Sequence, residues 1–306
     1  MPDPLMIPLN LMPRIHFGDW VSDIVDWLRK HWSGFFDAIR DGLNFLVDHL
    51  TNGLMSLPII GVVIILAVIA LVSRGVVTGI VAAVGLLLID SFDEWGSAMQ
   101  TLSLVLVAAV IAIVLAIPIG ILAAKSRIGS LVIRPILDFM QTTPAYVYLL
   151  PALFFFGLGS AAGVVATIIF AMPPGVRLTE LGIRQVDSEM VEAGQSFGAT
   201  PRKVLFGIQI PLAMPTIMAG VNQVIMLSLS MVVIAGFVGA PGLGQDVTAA
   251  LSNLLVGPAA EAGVSVVILA IYLDRVTAGI GRGEPSPISK AVRLFQRQRA
   301  SAQPIA

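Results

Sequence analysis

Apolar runs of membrane-crossing length, separated by short polar punctuation, constrain this chain more than any other feature in it. A helix needs roughly 20 apolar residues to cross a hydrocarbon core, with a range of about 17–25. Seven segments meet or approach that length: 54–72, 76–89, 98–124, 133–156, 161–178, 212–238 and 262–280. The second is short, and is either tilted or incomplete. Pro144 and Pro151 interrupt the fourth, and Pro173-Pro174 predict a bend in the fifth. Only 12% of residues are charged, about half of what a soluble domain carries, and the mean hydropathy is +0.92. The expected fold class is all-α: a polytopic membrane protein of about seven transmembrane helices.

Basic residues assign sides to these spans. After residue 50 they fall on alternate connections: Arg74; Lys125, Arg127 and Arg134; Arg177, Arg184, Arg202 and Lys203; then a group from Arg275 to Arg299. The intervening connections 90–97, 157–160 and 239–261 hold none. The excess of Lys and Arg in cytoplasmic loops puts the basic side inside, the C-terminus inside and the N-terminus outside. Ahead of the first span, Trp20, Ile24, Leu28, Trp32, Phe35, Ile39, Leu43, Leu46 and Leu50 recur at helical steps with charged residues between them. This is read as one amphipathic helix, lying in the outer membrane interface or packed on the bundle. The expected organisation is an outer tail over 1–53, peripheral spans over 54–97, a core over 98–280 and a basic inner tail over 281–306.

Several function classes are disfavoured. There is no cysteine, so thiolate chemistry is excluded. His16, His31 and His49 are spaced too widely for an obvious metal site, and no metal or bound cofactor is expected. A net charge of −1 argues against a nucleic-acid partner. No secretory signal peptide is visible, so the first span is expected to act as an uncleaved insertion signal. A phosphate loop of the G-x4-G-K-[ST] type is absent, as is any defensible nucleophile–base pair. No catalytic residue is assigned.

The longest inner connection, 177–215, is locally legible. Asp187 or Ser188 can cap a short helix on which Met190, Ala193 and Phe197 share a face. Gly194 and Gly198 lie four apart and predict a shallow notch open to another backbone. Gly198 suits the helix C-terminus. Thr200-Pro201 then restarts a helix, Thr as cap and Pro at its first position, and Pro211 and Pro215 mark the return to the membrane. A helix–turn–helix with an apolar end should project into the cytoplasm.

Glu192-Ala193-Gly194, then Gly198, then Ile208-Gln209-Ile210-Pro211 resemble the EAA-x3-G-x9-I-x-L-P signature of ABC importer permeases, with Gly194 standing for Ala and Ile210 for Leu. The segments 138–151, 196–223, 229–245 and 266–275 widen the resemblance to the permeases of ProU-type glycine betaine/proline betaine importers, over roughly residues 50–280. The resemblance implies a type I importer permease fold. It implies that 179–210 forms a coupling loop docking on an ATPase subunit through Glu192, Ala193, Gly194, Phe197 and Gly198. ATP and Mg would sit on that partner, and a periplasmic or lipid-anchored binding protein would supply substrate to a permease homodimer.

Candidate pathway residues are Gln141, Thr142 and Thr143 before Pro144, with Tyr146 and Tyr148 after it, and Asn222, Gln223, Ser228 and Ser230 in the sixth span. The polar groups either face a water-filled path or bridge helices, and the tyrosines offer aromatic faces or act as interfacial anchors. The outer segment 241–257 is expected as a short helix with Val247, Ala250, Leu251 and Leu254 on one face, capping the pathway or touching the binding protein, or as an ordinary loop. Arg134 and Asp138, four apart, read as a local ion pair. Choline, carnitine or another solute are alternative substrates, and an ion-coupled secondary transporter is the rival mechanism.

Overall fold

A computed structural model describes residues 16–281; residues 1–15 and 282–306, including nearly all of the expected inner tail, lie outside the described residues. The described residues contain helices and no strand. The long helix α5 (Trp95–Lys125) is the spine of the bundle. Its 31 residues extend roughly 46 Å at 1.5 Å per residue. Small residues line its buried side, among them Ala108, Ala112, Ala116 and Gly120. Such residues let backbones approach closely where lipid supplies no hydrophobic drive between helices. Against them lie α8 (Ser160–Arg184) and α11 (Ile210–Ala235). The three meet at Gly175, where an added Cβ would fall 2.9 Å from both Ala116 and Val224.

Four helices are long and apolar enough to cross a membrane: α5, α8, α11 with its flanking turns, and α13 (Val256–Gly281). Two bent pairs raise the number to as many as six. One pair is α2 (Ser33–Met55) with α3 (Ile59–Arg74), turned by 107° at Pro58. The other is α6 (Arg127–Thr142) with α7 (Ala145–Phe156), turned by 101°. A further apolar helix, α4 (Val76–Ser91), is shorter.

Three expectations need correction. The fourth span is no single interrupted helix but a corner. Pro144 has no N–H to donate and Thr143 is extended, so the chain turns there, whereas Pro151 sits inside α7 without breaking it. The amphipathic segment is likewise two helices, α1 (Phe17–His31) and α2, parted at Trp32. Of these, α2 packs on the bundle, burying Leu43 and Val47 and stacking Phe36 on Phe155 at 4.5 Å. The stripe of α1, with Trp20, Ile24 and Trp27, stays exposed.

Third, Arg134 does not pair with Asp138. It reaches Glu180 at 3.0 Å, Arg184 reaches the same oxygen at 2.9 Å, and Ser130 donates to it at 2.8 Å. Asp138 pairs with Arg177 instead. Glu180 is only 3% exposed, and a buried carboxylate requires this many donors to offset desolvation. Sequence proximity pointed to the wrong acid because the buried one draws the guanidinium across from α6 to α8.

At the opposite end, residues 243–252 form the short helix α12 (Leu243–Ser252) rather than a loop. Ala250 on its expected apolar face is buried, but Leu251 and Leu254 point outward, a correction to that face. Beside it, burial and the carboxylates of Asp246, Glu261 and Asp93 push Glu94 up to about 7. Asp246 Oδ2 is buried without a partner, and hydrogen bonding toward Asp246 favours the protonated form of Glu94. Between about pH 4.5 and 7 the folded chain therefore binds more protons here than the unfolded one, and stability falls as pH rises through that window. Glu94→Gln should flatten this fall, measured as melting temperature of the protein in nanodiscs from about pH 5 to 8.

Candidate functional site

The hairpin between α8 and α11 forms as its caps dictate. The Asp187 side chain accepts from Glu189 N–H at 3.0 Å and starts α9 (Ser188–Ser196). Gly198 ends it at φ +79°, a left-handed conformation that glycine adopts without steric cost. There Ala199 N–H returns to the Gly194 carbonyl at 3.0 Å. Thr200 then caps α10 (Pro201–Val204), with Pro201 in its first turn. A π-helical turn, Leu205–Gln209, leads into α11; such turns are uncommon and concentrate at functional positions.

Met190, Glu192, Ala193, Phe197 and Gly198 are all exposed, and Phe197 is 93% so. Gly194 differs from expectation. Its notch is filled by this chain's own Ile208, whose Cδ1 lies 2.6 Å from where a Cβ would stand. The glycine therefore lets α9 fold back on the π turn, and the surface left open is the Met190–Phe197 end. Behind α9 lies a cavity of ≈ 420 Å³ lined by Lys125, Arg184, Glu192, Gln195 and Gln209, among others. Lys125 donates to Gln209 at 2.6 Å, and Arg184 to the Ala123 carbonyl at 2.9 Å. The first bond ties the π turn at the base of the hairpin to the last turn of α5, and the second ties the last turn of α8 to that of α5.

The pathway candidates divide into three groups. Gln141, Thr142 and Pro144 are exposed at the α6–α7 corner, where both Thr142 and Thr143 hydroxyls donate back to the Phe139 carbonyl. Gln223 and Ser230 are exposed on one face of α11, seven residues apart, and Phe237 in the following turn Gly236–Val238 continues that face. Tyr146 joins it from α7, its ring edge-to-face with Phe237 at 5.5 Å. Asn222 turns the other way and bridges α11 to α13 through Asp274 and Thr277. Ser228 and Tyr148 are buried, bonded to the Val224 and Met140 carbonyls.

Sequence reasoning missed Phe237, whose seven-residue spacing from Ser230 was the available signal. It also missed Glu180, marked by its four-residue spacing from Arg184.

Residues 116–283 match the model of the binding-protein-dependent transport system inner membrane component. The chain belongs to this family. Among its relatives, this permease is 48% identical over 274 residues to the glycine betaine transport system permease protein OpuAB of Bacillus subtilis, covering 89% of this chain and 96% of that one. It is 45% identical over 290 residues to the glycine betaine/proline betaine transport system permease protein ProW of Escherichia coli, covering 93% and 82%. A chain of the inward-facing MetNI methionine ABC transporter shares the permease's fold with a TM-score of 0.53 and 21% identity, over 63% of this chain and 92% of that one. The protein is thus an inner-membrane permease subunit of the type I importer fold.

Proposed function

We propose that this permease carries glycine betaine, proline betaine or a closely related quaternary amine into the cytoplasm, driven by a separate ATPase. The observation that carries the coupling half of this reading is the bare apolar end of α9. Phe197 is 93% exposed beside Met190 and Ala193, an aromatic anchor of the kind that dominates protein interfaces. The substrate half rests on the named relatives at 48% and 45% identity.

In this reading Glu192, Ala193, Phe197 and Gly198 engage the ATPase, with Gly194 shaping the hairpin behind them. Two copies of the permease form a symmetric pair. A binding protein delivers substrate at the α12 end, where Leu251 and Leu254 are exposed. The basic connections lie inside and the N-terminus outside. ATP and Mg reside on the partner, and its closure on ATP pulls the hairpins and rocks the bundles between inward- and outward-open packings. Gln223 and Ser230 face the path; Asn222 holds α11 to α13 beside it.

The test is reconstitution with the ATPase and binding protein in liposomes holding ATP but no ion gradient. Uptake of glycine betaine, proline betaine, choline and carnitine would be compared. ATP-dependent betaine uptake is expected, whereas uptake that needs an ion gradient and ignores ATP overturns the proposal.

A further inference from the structure

The walls available to a substrate on α7 and α11 carry no formal charge. Between Asp138 and Arg177, and again between Lys203 and Asp246, the sequence holds no Asp, Glu, Lys, Arg or His. A quaternary ammonium cannot shed its charge by losing a proton, and its methyl groups leave no N–H to donate. Hydroxyls and amides can solvate it only through their oxygens. On the exposed α11 face the Ser230 hydroxyl is already turned back to the Met226 carbonyl at 3.2 Å. What the face does offer is a pair of open rings. Tyr146 is 53% exposed and Phe237 54%. In their edge-to-face arrangement at 5.5 Å each ring keeps a face unoccupied by the other.

We propose that Tyr146 and Phe237 form a way station that takes the trimethylammonium group of the substrate by cation–π contact on its passage between α7 and α11. An aromatic face attracts a cation within about 6 Å through its quadrupole, more strongly where water is excluded. A neutral site of this kind binds the ammonium without the deep well that a carboxylate would create, so the substrate can leave again. The pair also sits where movement is expected. Tyr146 lies in the first turn after the α6–α7 corner, and Phe237 lies in the turn that joins α11 to the α12 cap. A relative shift of these elements would open or close the angle between the rings.

This inference rests on the betaine reading above, and the experiment separates the two. Uptake of glycine betaine per ATP hydrolysed would be measured in liposomes with the complete transporter for wild type, Tyr146→Leu, Phe237→Leu, Tyr146→Phe and Phe237→Trp. Each leucine variant is expected to lower the ratio roughly 2- to 30-fold. Tyr146→Phe and Phe237→Trp, which keep a π face, should stay near wild type. Leucine variants with an unchanged ratio overturn the station, and so does an equal loss in the ring-preserving variants, which would mark the pair as mere packing. Absence of betaine uptake in the wild type, with transport of a different solute, instead overturns the substrate reading itself.

Discussion

Phe197→Asp is expected to release the ATPase and abolish coupled uptake while leaving the permease folded. At 93% exposure the ring touches little of its own chain, and surface substitutions of this kind alter stability by only about 0.5 kcal/mol. Its loss at an interface is another matter, because a buried aromatic anchor typically contributes about 2 kcal/mol or more, a factor of roughly 30 in affinity. A carboxylate in its place adds a desolvation cost. Asp187, Glu189 and Glu192 already make this helix acidic, which would aggravate the effect against any acidic neighbour. The measurement is co-purification of the ATPase with the variant, alongside size-exclusion of the permease alone. An aspartate variant that retains its partner and transports normally would show that the hairpin is not the docking element.

The second large effect is at the α12 end of the bundle. Gly236 and Gly244 cross so closely that a Cβ on Gly236 would strike the Gly244 carbonyl group and stand 2.6 Å from the Gln245 nitrogen. A Cβ on Gly244 would stand 2.6 Å from the Val233 carbonyl oxygen. The obstructing atoms are backbone and cannot swing aside. Overpacking of this sort costs about 1–3 kcal/mol, occasionally more. Gly236→Val should therefore lift α12 off the end of α11 rather than be absorbed. Since the chain has no cysteine, Ala250→Cys supplies a clean reporter at a position only 4% exposed. Thiol labelling there should accelerate roughly 5- to 150-fold when Gly236→Val is added. Equal labelling rates in the two backgrounds would mean that the crossing is not what seats the cap.

Where local chemistry decides the structure, the sequence was readable. Asp187, Gly198, Thr200 and Pro201 placed the ends of α9 and the start of α10 correctly because caps act within four residues of themselves. Of the seven expected spans, 98–124, 161–178, 212–238 and 262–280 were equally visible, since each satisfies its own backbone; 54–72 and 133–156 belong to bent pairs, and 76–89 falls on the shorter α4. What escaped was set by distant partners. Arg134 chooses Glu180, 46 residues away, over Asp138 four residues away, and no spacing rule ranks a local acid below a buried remote one. The filling of Gly194 by Ile208 depends on the π turn, which has no sequence signature of its own. Pro144 marked where the fourth segment breaks, but no local rule sets the size of the turn, 101°, when α6 packs chiefly on α5 and α7 on α8. The break at Trp32 was announced only by Ser33-Gly34, which the helical spacing of the apolar stripe on either side outweighed.

One consequence follows from the length of α4. Its 16 residues amount to roughly 24 Å of helix, against a hydrocarbon layer of about 30 Å. Long helices such as α5 can meet that thickness by tilting, but a short one on the margin cannot stretch. Were it to cross, the lipid beside it would have to give way, compressing its chains on that flank. The annulus around the protein would then be lopsided, thinner at α4 than beside the long helices of the bundle. Acyl-chain length would thereby become a variable to which this side of the molecule responds.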